Sequence, residues 1–123
     1  MRFFHGSREK DLQIKWGGDR CYSFPYFFMT SEIELAKNYS KHYARTDRNL
    51  FFCDFDIRFH EVDFGGMTYT SEFRNLIFKL SNEDHKAVLL KNCLDKPSEK
   101  WSFVLSDILV VFDLDIINLR KHI

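Results

Sequence analysis

Phe27-Phe28-Met29-Thr30-Ser31-Glu32-Ile33-Glu34-Leu35-Ala36-Lys37-Asn38-Tyr39 reads as a strand that feeds directly into a helix. Aromatic residues at its start favour extended backbone. Ser31 followed three residues later by Glu34 has the pattern of a capping box, in which serine accepts from an exposed helical N–H and the glutamate reaches back. The helix is expected to run to about Tyr43, with Leu35, Ala36, Tyr39 and Tyr43 on its inward face. Lys37, Lys41 and Arg45 line a second, solvated face. Upstream, Cys21 to Met29 is strongly β-prone, but Pro25 confines its first half to a loop or a sheet edge.

Working outward, Arg2-Phe3-Phe4-His5-Gly6-Ser7 is a short strand whose last residues are a histidine and a glycine. The bare backbone of Gly6 allows another group to approach closely. Residues 7–20 are polar and hold Gly17-Gly18, a loop signal. Leu50 to Ile57 reads as a strand, Gly65-Gly66 as a stop, and residues 70–80 as a helix with the stripe Phe73, Leu76, Ile77 and Leu80. Ala87, Val88 and Leu90 suggest a further short helix over residues 83–92. Lys96-Pro97-Ser98 is a turn, Trp101–Val104 and Ile108–Phe112 are strands, and a turn and last apolar piece follow from Asp113.

Strands at both ends with helices between define an α+β domain. Regular βαβ alternation is missing, and neither Gly-Gly pair forms a dinucleotide fingerprint or a P-loop. A chain of 123 residues is one domain, 1–123, able to bury roughly two-thirds of its unfolded surface. Fourteen phenylalanines promise an aromatic core and stacking surfaces for a flat ligand.

Lys plus Arg equal Asp plus Glu at 18 each, so no global field draws the chain to nucleic acid or an anionic membrane. Cys21, Cys53 and Cys93 fit neither a disulfide framework nor a zinc site. The histidines lack ligand spacing, so no metal is expected, and His60 with Glu61 and Asp63 reads as a polar strand-to-loop segment. With no signal-like segment and no run near ~20 apolar residues, a soluble cytoplasmic protein without membrane contact is expected.

Three elements together resemble the diphtheria-toxin-like and poly(ADP-ribose)-polymerase-like ADP-ribosyltransferases. His5-Gly6-Ser7 resembles the first motif of that family. The second motif is an aromatic strand end, a small residue eight positions on and a tyrosine eleven on, matched by Phe28, Ala36 and Tyr39. Ser106-Asp107-Ile108-Leu109-Val110-Val111-Phe112-Asp113 resembles the third, a strand opened by a glutamate. Here Ile108 stands at the glutamate position if the register is kept, and Asp107 takes its place if the register shifts through a bulge. The aligned aromatic, usually tyrosine in the family, is Phe28; Tyr26, two residues back, is a substitute source of a hydroxyl.

The resemblance implies a split mixed β-sheet with short helices, binding NAD+ as substrate without a metal. By it, His5 contacts a ribose hydroxyl, the Gly6 backbone holds the nicotinamide carboxamide, Ser7 adds a hydroxyl, and Phe28 and Tyr39 enclose the ring. The loop of residues 12–24 would cover the cleft, with Trp16 and Arg20 toward the adenosine. Loss of the glutamate favours a single transfer to a macromolecular acceptor, protein or nucleic acid, over chain elongation. The size suits a bacterial or phage effector or toxin. The rival expectations are a catalytically degenerate binding protein of the same fold and an NAD+ glycohydrolase.

Overall fold

The computed structural model describes residues 1–12, 26–68 and 71–122. The expected loop with Trp16, Gly17-Gly18 and Arg20 lies outside the described residues, as do Cys21 and Pro25. The architecture is α+β: seven strands form one mixed sheet with two helices. In chain order these are β1 (Arg2–Gly6), β2 (Phe27–Thr30), α1 (Ile33–Ala44), β3 (Leu50–Asp54), β4 (His60–Asp63), α2 (Ser71–Ser81), β5 (Ala87–Asp95), β6 (Val104–Val111) and β7 (Arg120–Lys121). Across the sheet they lie in the order β4-β5-β6-β2-β1-β3-β7. Among the strands of the described residues, only the β4–β5 pair is parallel.

Both faces of the sheet are covered. On the helix face, Leu35 of α1 and Phe73, Ile77 and Leu80 of α2 pack on Val88, Leu90, Ile108 and Val110. On the other face, Phe3, Phe27, Met29, Phe51, Leu89, Leu109 and Val111 are sealed by Phe59 and by Leu114 to Leu119 around the 3-10 turn Leu114–Ile116. Each such side chain, taken fully out of water, stabilises the fold by roughly 1.5–3 kcal/mol.

This two-sided burial corrects the helix expected at residues 83–92, which is the strand β5. A strand buried on both faces is apolar at every position, so Ala87-Val88-Leu89-Leu90 carries no period-two signal to set it apart from helix. β6 is one strand from Val104 rather than two pieces broken before Ile108; the polar Ser106-Asp107 pair interrupts its apolar run without ending the strand.

The capping box is also corrected. Glu32 occupies the N-cap of α1 without a side-chain hydrogen bond. Ser31 Oγ instead accepts from the Asp107 N–H at 2.9 Å, and Thr30 Oγ1 accepts from the Glu32 N–H at 3.1 Å. The serine is used to tie the β2–α1 corner to β6, which outcompetes the local cap. The C-terminus of α1 closes on Arg45 in the left-handed region, its N–H reaching the Lys41 carbonyl at 3.0 Å.

Candidate functional site around Gly6, Phe28 and Tyr39

The site is built from the junction of β1, β2 and α1. Pairing of β1 with β3 is complete from Arg2–Asp54 to Gly6–Leu50, and the Ser7 N–H continues it to the Asn49 carbonyl at 2.9 Å. Met1 and Phe55 exchange both of their backbone bonds, so odd-numbered residues of β1 direct their N–H and C=O groups at β3. The even ones, Gly6 among them, direct theirs at β2. There the registered pairing amounts to Phe4–Thr30 alone. The Gly6 amide and carbonyl therefore face a seam where the ladder between β1 and β2 has ended.

His5 sits at this seam. Its Nδ1 lies 2.7 Å from the Phe28 carbonyl oxygen. A carbonyl only accepts, so Nδ1 carries the proton and donates. The ring stacks on Phe27, centroids 4.3 Å apart at 30°. Phe27 belongs to the face opposite the helices, as does Phe3, two residues before His5. The His5 ring thus lies on the opposite sheet face from Phe28 and Tyr39, and the three do not line one cleft. Strand alternation is the reason: Phe27 and Phe28 are neighbours on β2 and point to opposite faces.

Gly6 lies against Ala36, and Phe28 and Tyr39 share the helix face of the sheet. Phe28 and Tyr39 both pack against the helix-face core. A Cβ on Gly6 would collide with the Ala36 carbonyl and lie 2.9 Å from the Ser40 nitrogen. The missing side chain lets α1 settle on β1, one helical turn before Tyr39. Ser7 is buried, and its Oγ accepts from the Glu9 N–H at 2.9 Å. Tyr26 is buried on the helix face, where its hydroxyl donates to Ser81 Oγ at 2.9 Å and ties β2 to the end of α2.

The third motif divides by face. Ile108 pairs with Thr30 and is buried among the helix-face residues. A bulge does occur beside Asp107, but in the partner strand: Lys91 and Asn92 of β5 lie opposite Asp107 between the Leu90–Ile108 and Cys93–Ser106 pairs. Asp107 Oδ1 accepts from the Asn92 N–H at 3.0 Å and closes that bulge. Asn92 is held in the left-handed region at φ 59°, with its side chain on Asp63 at 3.1 Å. Asp63 also takes the Gly65 N–H at 2.8 Å, and these two bonds hold its carboxyl below the usual range.

The carboxylate nearest the helix-face aromatics is one the sequence reading passed over. The Tyr39 hydroxyl donates to Asp95 Oδ2 at 2.6 Å. Burial raises the Asp95 carboxyl above its ordinary value, opposed by this bond and by the Lys96 N–H. Two residues back on the same strand face, burial and then the charges of Asp95 and Asp107 push the Cys93 thiol up to about 12. Opposite Cys93, Ser106 Oγ is buried and meets no hydrogen-bond partner among the described residues. Reading residues 87–95 as one strand would have placed Cys93 and Asp95 on one face; a helix ending at residue 92 left them outside any element.

Among the described residues no group of three or more His, Cys, Asp or Glu side chains is arranged to hold a metal ion, and no helix is long and apolar enough to cross a membrane. No family model matches the chain, and no curated protein or solved structure matches it.

Proposed function

We propose that this protein is a small NAD+-dependent mono-ADP-ribosyltransferase with an ADP-ribosyltransferase-like split sheet. The observation that carries the reading is the Gly6 peptide group. It faces the β1–β2 seam directly beneath α1, with Phe28 and Tyr39 on the same sheet face. An amide donor and a carbonyl acceptor side by side match a primary carboxamide, which offers the complementary pair. Aromatic rings at the same place match the flat ring that bears it.

In the reaction, the bond between ribose C1′ and the nicotinamide nitrogen breaks, and its electron pair leaves with neutral nicotinamide. The nucleophile of the acceptor bonds to C1′ and releases its proton to water. Ile108 supplies no charge at the glutamate position, and the Asp107 carboxylate is engaged by Asn92. The ribosyl cation is then stabilised mainly by NAD+ itself and by the acceptor, which suits one transfer rather than elongation. His5 acts here by holding β2 at the seam through the Phe28 carbonyl.

The buried Ile108 favours one alternative, a protein of this fold that binds NAD+ or ADP-ribose without turning it over. Incubating wild type and Tyr39→Ala with labelled NAD+ and a cell lysate separates the two. Label on macromolecules with wild type alone is the expected result. Binding without conversion establishes the alternative, free ADP-ribose alone establishes hydrolysis, and absence of NAD+ binding overturns the proposal.

A further inference from the structure

The proposed site has a built-in anion that no motif assigns. Tyr39 closes the second turn of α1, and its hydroxyl meets the Asp95 carboxylate across the helix face at 2.6 Å, with the Lys96 carbonyl at 3.4 Å behind it. A phenol donating to a carboxylate over so short a distance makes a charge-assisted bond, roughly twice as strong as a neutral one. Such a bond draws the proton away from the phenolic oxygen and moves electron density into the ring. The π face then becomes a better partner for a cation. Asp95 is anchored in turn: it ends β5 opposite Val104, and its carboxylate also takes the Lys96 N–H.

We propose that Asp95 is a positioning residue of the nicotinamide site, fixing the Tyr39 ring and enriching its π face so that the site favours a cationic pyridinium over a neutral ring. This rests on the reading of Gly6, Phe28 and Tyr39 as an NAD+ site. Its chemical content is discrimination. The nicotinamide of NAD+ is a pyridinium cation. That of NADH is neutral, and so is the nicotinamide released when the C1′–N bond breaks. A ring tuned by Asp95 holds the substrate and lets both neutral forms go. Asp95 does this without touching the ligand.

The test is calorimetric titration of NAD+ and of NADH into wild type, Asp95→Asn, Tyr39→Phe and the double variant. Wild type is expected to prefer NAD+. Either single substitution keeps the ring and removes only its enrichment, so it should shrink that preference by about two- to fivefold, a fraction of one cation–π contact. The double variant should lose no more than either single one, because both act through one bond. A merely structural Asp95 would weaken both ligands alike and leave their ratio unchanged, which overturns the proposal. Additive losses in the double variant, or a wild type without preference, overturn it too. Should Asp95→Asn fail to fold, Tyr39→Phe keeps the ring and removes only the hydroxyl; an unchanged ratio there is equally decisive. A wild type that binds neither ligand refutes the NAD+ site itself, and this inference falls with it.

Discussion

An alanine methyl at position 6 has nowhere to go, because the Ala36 carbonyl of α1 occupies its place and the Ser40 nitrogen stands 2.9 Å away. Gly6→Ala is expected to force α1 off β1 and lower stability by roughly 1–3 kcal/mol, the usual cost of overpacking, as read by urea denaturation. Asp95 gives a residue-scale expectation of the opposite sense. Its carboxyl is raised in the folded state, so the folded chain binds the proton more tightly than the unfolded one. Stability linked to this group is full below the unfolded pKa of about 3.9 and is lost as pH rises through the higher folded value. The groups around it that carry charge or titrate are Tyr39 from α1 and Cys93 and Lys96 from its own strand and turn, with Asp107 of β6 acting on Cys93. Asp95→Asn cannot ionise, so thermal melts should show it gaining on wild type from acid to neutral pH. A variant that instead loses ground over that range would contradict the burial argument.

Elements show where the sequence could be read and where it could not. The stripe Phe73, Leu76, Ile77 and Leu80 has one buried face and one wet face, so α2 was legible from period alone. Ala87 to Leu90 has two buried faces, and the signal vanished with the alternation. The bulge in β5 was invisible for another reason: its causes lie in other elements. Asp107 on β6 and Asp63 at the end of β4 both bond to Asn92, and the Gly66 N–H reaches the Asn92 carbonyl at 2.7 Å. Asp107→Ala leaves the exposed Asn92 N–H to water, a loss of about 0.5–1.5 kcal/mol by urea titration. Label transfer from NAD+ should persist in that variant, since the carboxylate serves the bulge. Abolished transfer with intact stability would make Asp107 part of the chemistry instead. Asn92→Gly should be tolerated, because glycine accepts the φ of 59° freely.

At the scale of the whole molecule, one sheet carries two cores that share its central strands. β6 sends Ile108 and Val110 to one and Leu109 and Val111 to the other. Coupled this way, they should unfold together in a single transition. Phe27→Ala, at a fully buried position, should move its midpoint by the loss of about 3–5 kcal/mol. The outer strands are short and polar, His60–Asp63 at one edge and Arg120–Lys121 at the other, which protects a wide sheet from pairing with another chain. The three motifs, through the family resemblance, implied that β1, β2 and α1 would contribute to one site. They could not reveal which sheet face each side chain takes: Phe28 and Tyr39 fell to the helix face and His5 to the other. The central claim is that the helix face at the β1–β2 seam receives the nicotinamide end of NAD+. Shift mapping of nitrogen-15-labelled protein on titration with NAD+ tests it most directly. The largest perturbations are expected at the amides of Gly6, Phe28 and Tyr39, with Lys96 following through Asp95. Perturbations confined to the opposite face, around Phe51 and Cys53, or none at all, would contradict it.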